Sequence, residues 1–461
     1  MRTHATGGEE LVDAEKLARI AGRLEEERVQ FVRVLFTDLL GELRSIEIPR
    51  ERLADAVEHG IAFDGSSVGG YARISDADMA LIPDLATLTI HPGLIPVRSS
   101  MDEYAVAGVI GDVVTSSGDP FPGDPRCILR RFVEGAQAEG YRLFAGAELE
   151  FFLFPEGEIP RHGAQIERKE GYFSRSPVDE EAAVREEIVL MLLRMGIAVE
   201  ASHHEIVPHI HEIDFEYSDP VTTADRLMLI KFVAKAVANS HRLKAVFMPK
   251  PISGFAASGM HVHVSVFRSG RNLFYDPDAP SGLSPECRHF IGGLFENFGA
   301  MTLLTNPTIN SYKRLVPGFE APVNVAWGFR NRSTLVRIPA TDTPETSTRL
   351  ELRSPDPSAN PYLAFTGILA AGLHGIASET EPPPPVEGDI YGMSDEEKRA
   401  RGIRPVPGSL GETVDAFEAS AVIRGAIGAE ATEYLARAKR AEIEEFGTAV
   451  TDWERLHYLD I

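Results

Sequence analysis

The 461-residue chain has only two cysteines, Cys127 and Cys287, and neither lies in a CxxC pair. That excludes a disulfide framework and fits a reducing, cytoplasmic setting. Long hydrophobic runs are missing as well. No window reaches the roughly 18 apolar residues that a membrane span needs, and the opening residues MRTHATGGEE lack the basic-then-apolar pattern of a signal peptide. Positive charge is scarce: 46 lysines and arginines against 69 acids give a formal charge of -23. A nucleic-acid partner needs a basic surface and is not expected. Two nucleotide signatures are also absent, since neither GxxxxGK[ST] nor a GxGxxG after a strand occurs. Any nucleotide must therefore be held by metal and arginine, without a glycine cradle.

What remains is a soluble globular composition, 43% hydrophobic and 25% charged, in a chain too long for one ordinary core. Residues from about Leu11 to Arg28 have helical spacing. Phe31–Asp38 and Gly41–Ile48 read as a strand and its hairpin partner. The segment Ser116–Pro125 packs three prolines and two glycines into ten residues and is the best domain boundary. Beyond it helices and strands alternate: helices over Cys127–Glu139, Glu180–Met195, Asp225–Leu243 (capped by Thr222 or Thr223), Pro285–Leu304 and Glu412–Gly447, and an apolar-polar tail at Trp453–Leu459 that could dock on a neighbour.

Three stretches repeat one device. In GMHVHVS, residues 259–265, His261, His263 and Ser265 share one strand face while Val262, Val264 and Val266 share the other. Glu148 and Glu150 share a face against Leu149 and Phe151, and Arg349, Glu351 and Arg353 share a face against Leu350 and Leu352. Three strands with ionisable faces imply one sheet curved around one polar site. The carboxylates Glu148, Glu150, Glu205, Glu212 and Glu351, with His261, form an oxygen-dominated ligand set suited to Mg2+ or Mn2+. His203, His204, His209 and His211 raise a zinc alternative, but their spacing is not HExxH. Arg314, Arg330, Arg332 and Arg337 crowd one short stretch, with Arg349 and Arg353 close behind. Beside a metal site they suggest phosphoryl transfer or an anionic substrate, although structural ion pairs would also account for them.

The chain resembles the type I glutamine synthetase family nearly end to end. The runs that carry the resemblance are FDGSSVGG, GAELEFFLF, EASHHE, GMHVHVS, NSYKRLVPGFEAP, RNRSTLVRIP, LELRSPDPSANPYLAF and WERLHYL. It implies an α+β chain: an N-terminal helix over 1–28, a β-grasp domain over 29–118, and a catalytic domain over 125–461 with a curved antiparallel sheet flanked by helices. It also implies a cytoplasmic dodecamer that uses ATP and Mg2+ or Mn2+. Glutamate would be joined to ammonia, or in the alternative to an organic amine, through a γ-glutamyl phosphate. By the same resemblance Glu150, Glu205 and Glu212 match the ligands of one ion, and Glu148, His261 and Glu351 those of the other. Arg314 and Arg353 match glutamate-binding residues, with Ala257 on the same substrate loop. Glu200, His263, Ser265, Arg337 and Arg349 match nucleotide contacts, and Arg332 the arginine on the transferring phosphoryl group. Asp64 and Ser67 of a neighbouring subunit, with Tyr172 and Glu205, match the ammonium pocket. Glu320 matches the flap that closes the site.

The sequence departs from the family pattern in two loops. Pro208-His209-Ile210-His211 replaces a Gly-Gln step, and Ala256-Ala257 replaces Asn-Gly. Both changes touch substrate loops, which keeps an amine ligase as the alternative. A non-catalytic relative would be expected to lose part of the ligand set, and all six ligand positions are present. Tyr391, in the context Asp389-Ile390-Tyr391-Gly392, is not expected to be adenylylated, and Arg73 matches a feedback-linked arginine.

Overall fold

The structure is a computed structural model. It describes residues 7–69, 77–91, 104–157, 159–163, 171–317 and 321–461, with side chains from residue 15 onward. Arg73 and Glu320 lie outside the described residues.

After a helix over Gly7–Glu26, residues 29–115 form a six-stranded sheet. Its strands are β1 (Val29–Thr37), β2 (Leu43–Pro49), β3 (Ile61–Asp64), β4 (Asp78–Pro83), β5 (Thr89–His91) and β6 (Ala105–Thr115). The order is β2-β1-β6-β4-β3 with β5 also on β6, and β1 runs parallel to β6. Val32, Val34, Leu81, Val109 and Val113 are buried between this sheet and its helices. In the β1–β2 turn Asp38 accepts from the Leu40 and Glu42 amides, and Gly41 takes the positive φ of 89° that this reversal demands. Asn360 donates to the Asp38 carbonyl and ties the turn to the second half of the chain.

The rest of the chain is built on a nine-stranded sheet. It contains β7 (Tyr141–Pro155), β8 (Val199–His204), β9 (Ile210–Phe215), β10 (Leu243–Val246), β11 (Met260–Arg268) and β12 (Arg271–Asn272). A small separate ladder, β13 (Asn324–Val325), precedes β14 (Trp327–Phe329), β15 (Val336–Ile338) and β16 (Leu350–Leu352). The main order is β14-β15-β16-β11-β7-β9-β8, antiparallel except for β14 and β15. The expected α+β class holds, and the three strands with ionisable faces are neighbours in this one sheet. One face is dry. Leu149, Phe151, Val262, Val264, Leu350 and Leu352 are buried there, each contributing about 1.5–3 kcal/mol of apolar burial. Helices Pro125–Ala138 and Pro220–Ser240 cover that face, and Pro361–Ala377 packs on both of them in turn.

Several helix ends differ from the sequence reading. The helix expected over Asp225–Leu243 begins at Pro220, and its cap is Asp219, which accepts from the Val221 and Thr222 amides. Proline at the first helical position has no amide to orphan, so an acidic cap followed by proline is the stronger start signal. The span Pro285–Leu304 is two helices, Pro285–Glu296 and Phe298–Thr305, which meet at Asn297. Glu412–Gly447 is three helices, with breaks at Ser420, which caps the second, and at Gly428, which takes φ 94°.

Candidate active site

Register places the chemistry. Opposite Glu148 on β7 stands His261 on β11, and opposite His263 on β11 stands Glu351 on β16. On the other flank of β7, Glu150 faces Glu212 and Glu148 faces Asp214 of β9. A pleated strand alternates faces, so all these side chains project from the face opposite the core.

Two compact groups result. In the first, His261 Nδ1 lies 3.1 Å from Glu148 Oε2 and 3.3 Å from Glu351 Oε1, and the ligand atoms of the three residues lie within 4.8 Å of one another. His263 Nε2 is 2.7 Å from the other oxygen of Glu148. Burial works to raise the carboxyls of Glu148 and Glu351. Hydrogen bonds from His261, helped by His263 at Glu148 and by Arg353 at Glu351, outweigh it and hold both well below the usual carboxylate range. In the second group His203, Glu205 and Glu212 converge within the same 4.8 Å span. His203 Nε2 is 3.1 Å from Glu205 and 3.7 Å from Glu212. Glu150 stands between the groups, accepting from the Gly259 amide at 2.8 Å, with His261 Nε2 3.8 Å away.

This face carries more negative charge than it can hold unaided. Burial, with Glu150, Asp214, Glu148 and Glu205 around it, pushes the Glu212 carboxyl up to about 10. Burial and Glu148 push Asp214 up to about 6. Divalent cations would relieve both, and the donor set of carboxylates with an imidazole suits Mg2+ or Mn2+. The residues present therefore fit the group.

The arginines line the other side. Arg353 donates to Glu351 Oε1 at 2.7 Å, and Arg337 donates to the second oxygen. Arg314 is buried and donates to the Ser354 and Arg353 carbonyls at 2.6 and 3.2 Å. Arg349 Nε donates to His263 Nδ1 at 3.3 Å. A cavity of about 360 Å3 adjoins the first group, lined by Glu148, Glu200, Asp214, His263, Ser265 and Arg349 among polar residues and by Phe144 and Tyr217 among aromatic ones. Tyr172 stacks on Phe173 at 3.9 Å and meets the His203 ring at 5.4 Å. Its hydroxyl is pushed up by burial and the Glu205 charge, with Arg332 acting against them.

The structure does not bring every expected residue here. Asp64, at the end of β3, and Ser67, in the 3-10 turn after it, were expected from a neighbouring subunit; within this chain Asp64 accepts from Ser66 and Ser67. Among the described residues no hydrogen bond joins them to the large-sheet face. Ala257 carries no hydrogen-bonding side chain, and its neighbour Ala256 packs against an apolar cluster of Phe152, Phe154, Ile210, Ile252 and Phe255. Both departing loops thus meet in one apolar floor. Sequence reading passed over Phe144, Asp214 and Tyr217 as cavity walls, although the alternation of Phe144, Gly146 and Glu148 was there to place the first. It also did not foresee that His203 lies beside Glu205 and Glu212.

A third group, Asp179, Glu181 and His211, lies buried on the opposite side of the β8–β9 hairpin. Arg185 already supplies its positive charge, donating to Asp179 at 2.7 Å and lying 2.8 Å from His211 Nδ1. Burial and Arg185 hold His211 well below its usual range.

Comparison with known proteins gives a consistent picture. Residues 122–458 match the glutamine synthetase catalytic domain, and residues 28–116 match the glutamine synthetase β-grasp domain. A glutamine synthetase of Thermotoga maritima is 47% identical over 436 residues, covering 95% of this chain and 98% of its own. One of Thermus thermophilus is 44% identical over 448 residues, covering 96% and 98%. A solved GmaS–ADP complex matches with a TM-score of 0.84 at 34% identity, covering 96% of this chain and 99% of its own.

Proposed function

The chain belongs to the glutamine synthetase family, and from that premise we propose how its own residues carry out ATP-dependent ligation of ammonia to the γ-carboxylate of glutamate. The fold is an N-terminal β-grasp domain followed by the catalytic domain, and the family uses ATP and a divalent metal. We assign 29–118 and 125–461 to the two domains, and a homododecamer in the cytoplasm as the working state. Among the described residues no helix is long and apolar enough to cross a membrane.

The observation that carries the residue assignment is the register of β16, β11, β7, β9 and β8, along which two carboxylate–histidine groups lie beside an arginine row on one face. Glu148, His261 and Glu351 would hold one Mg2+ or Mn2+, and Glu150, Glu205 and Glu212 the other, with His203 beside it. When bound, these ions neutralise the charge that develops on the transferring phosphoryl group. The cavity between Glu200, His263, Ser265 and Arg349 takes the nucleotide, with Arg337 oriented by Glu351. Arg314 and Arg353 hold the carboxylates of glutamate, in the bidentate manner guanidinium favours, on the loop of Ala257. Arg332 reaches the phosphoryl oxygens as the γ-glutamyl phosphate forms. Asp64 and Ser67 of a neighbouring subunit, with Tyr172 and Glu205, bind ammonium, and Asp64 accepts its proton. Ser66 and Ser67 hold Asp64 below the usual range, which keeps it ionised to attract the ammonium cation. Glu320, outside the described residues, keeps the part of a flap that excludes water.

The test is phosphate release from ATP with glutamate and Mg2+, comparing ammonium, methylamine, ethanolamine and putrescine, with the product mass determined. Glutamine formed at millimolar ammonium is the expected result. Turnover with an organic amine alone would overturn it and direct attention to Ala256, Ala257, His209 and Ile210.

A further inference from the structure

β8 is the edge strand of the large sheet, and the chain from Gly171 to Glu181 wraps around it. On the site face, Tyr172 and Phe173 lie against His203, and the Phe173 amide donates to the His204 carbonyl at 3.0 Å. On the opposite face, Asp179 and Glu181 are buried at the start of the helix Ala182–Arg194. There Glu181 Oε1 lies 3.0 Å from His209 Nδ1, and Arg185 bridges Asp179 and His211. His209 closes the β8–β9 turn at φ 68°, a left-handed conformation that residues other than glycine seldom adopt without support. Its carbonyl accepts from the Leu153 amide at 2.9 Å, and the Glu205 amide donates to the Ile210 carbonyl at 2.8 Å. A rigid helix start therefore grips residues 209 and 211 from behind, while Glu205 and Glu212 project in front.

We propose that Glu181 and His209 are positioning residues: they pin the β8–β9 turn from behind and so set the affinity of the ion that Glu205 and Glu212 hold in front. The proposal rests on the ligand assignment made above. The buried group itself is not a third ion site. Arg185 donates to His211 Nδ1, which leaves the ring proton on Nε2, so neither nitrogen offers a lone pair to a metal. Asp179 Oδ1, Glu181 Oε2 and His211 Nε2 are buried without a hydrogen-bond partner among the described residues. That incomplete satisfaction makes the grip sensitive to loss of any further contact. Partners one shell behind metal ligands commonly change affinity about 10–100-fold when removed.

The experiment is calorimetric titration of Mn2+ into the chelator-stripped full-length protein and its variants. In the wild type two ions are expected to bind per chain, and Glu205→Gln is expected to mark the one held by the hairpin. Glu181→Ala is expected to weaken that same ion about tenfold and leave the other unchanged, while Glu181→Gln, which keeps an acceptor for His209, restores most of the affinity. His209→Gly suits a left-handed position and is expected to fold even if Glu181→Ala does not. It is expected to weaken the same ion with no loss of melting temperature. Equal weakening of both ions would show general loosening and overturn the proposal, as would wild-type binding in His209→Gly or a third ion per chain. If Glu205→Gln itself binds as wild type, the ligand assignment fails and the proposal falls with it, a result distinguishable from failure of the clasp alone.

Discussion

His261 faces Glu148 directly across the β7–β11 ladder, with its Nδ1 3.1 Å from the carboxylate and 3.3 Å from Glu351 on the next strand. One imidazole therefore ties three strands together at the point where two carboxylates are packed close. His261→Asn keeps a polar group of similar reach but removes the imidazole lone pair. Affinity for one divalent ion is expected to fall at least about tenfold, with kcat falling in parallel, and Mn2+ binding read by electron paramagnetic resonance checks it. Unchanged stoichiometry and affinity would remove His261 from the ligand set.

Arg126 fastens the two sheets together. Its guanidinium, nearly inaccessible to solvent, contacts Asp84 after β4 at 2.8 Å, Asp112 on β6 at 2.5 Å and Asp225 on the helix Pro220–Ser240 at 2.8 Å. The Tyr362 hydroxyl donates to the same Asp225. Arg126→Met preserves much of the volume and leaves the buried Asp225 without its cation, while Arg130 still faces Asp84 and Asp112, a change that costs about 3–5 kcal/mol. The urea midpoint is expected to fall accordingly, with proteolytic cleavage appearing near residues 116–125. A midpoint within error of the wild type would mean that packing alone holds the sheets together.

The ladder that carries the chemistry was legible because strict alternation in residues 147–151, 260–266 and 349–353 leaves only one way to bury the valines, the leucines and Phe151. Glu148, His261 and Glu351 then fall on one face whatever the rest of the fold does. Other parts were hidden for physical reasons. Asp219 rather than Thr222 caps its helix because the proline after it changes which amide is orphaned. His203 enters the ion group only through a register shift between Val199 and Ala201, which no periodicity announces. The partnership of Glu181 with His209 joins residues far apart in the chain, and only the wrapping of 171–181 around β8 brings them together. The two departing loops read as separate changes in sequence, yet Ile210 and Ala256 share one apolar cluster.

Asp124 gives a pH signature. It caps the helix Pro125–Ala138, accepting from the Arg126 amide at 3.2 Å and the Val113 amide at 3.3 Å. Burial, reinforced by the Asp112 charge, pushes its carboxyl up to about 7. An unfolded aspartate titrates near 4, so the folded state keeps this proton over the interval between. The stabilising contribution is complete below about pH 4 and is lost as pH rises through about 7. Asp124→Asn keeps the capping oxygen and cannot ionise. Between pH 5 and 7 the wild type is expected to lose about 2 kcal/mol relative to this variant, read from urea midpoints at fixed chain concentration. Parallel pH profiles for the two proteins would show that Asp124 does not titrate in that range.

Gly259 marks how closely the substrate arm is fitted. A Cβ there would lie 2.7 Å from Arg314 Nη2 and 3.0 Å from His261 Nε2, both below ordinary contact. Its backbone conformation does not itself demand glycine, so Gly259→Ala tests space rather than strain. The arginine head is the more mobile neighbour and would yield first, carrying it off the Ser354 and Arg353 carbonyls that aim it. A charge-assisted hydrogen bond to a carboxylate is worth about 1.5–3 kcal/mol, so misplacing this one is expected to raise the glutamate KM about tenfold to a hundredfold. The KM for ATP should stay near the wild-type value, because the cavity proposed for the nucleotide lies across the sheet face at Ser265 and Arg349. If the ATP KM rises and the glutamate KM does not, Arg314 serves the nucleotide and the assignment of the two substrates to the face must be exchanged.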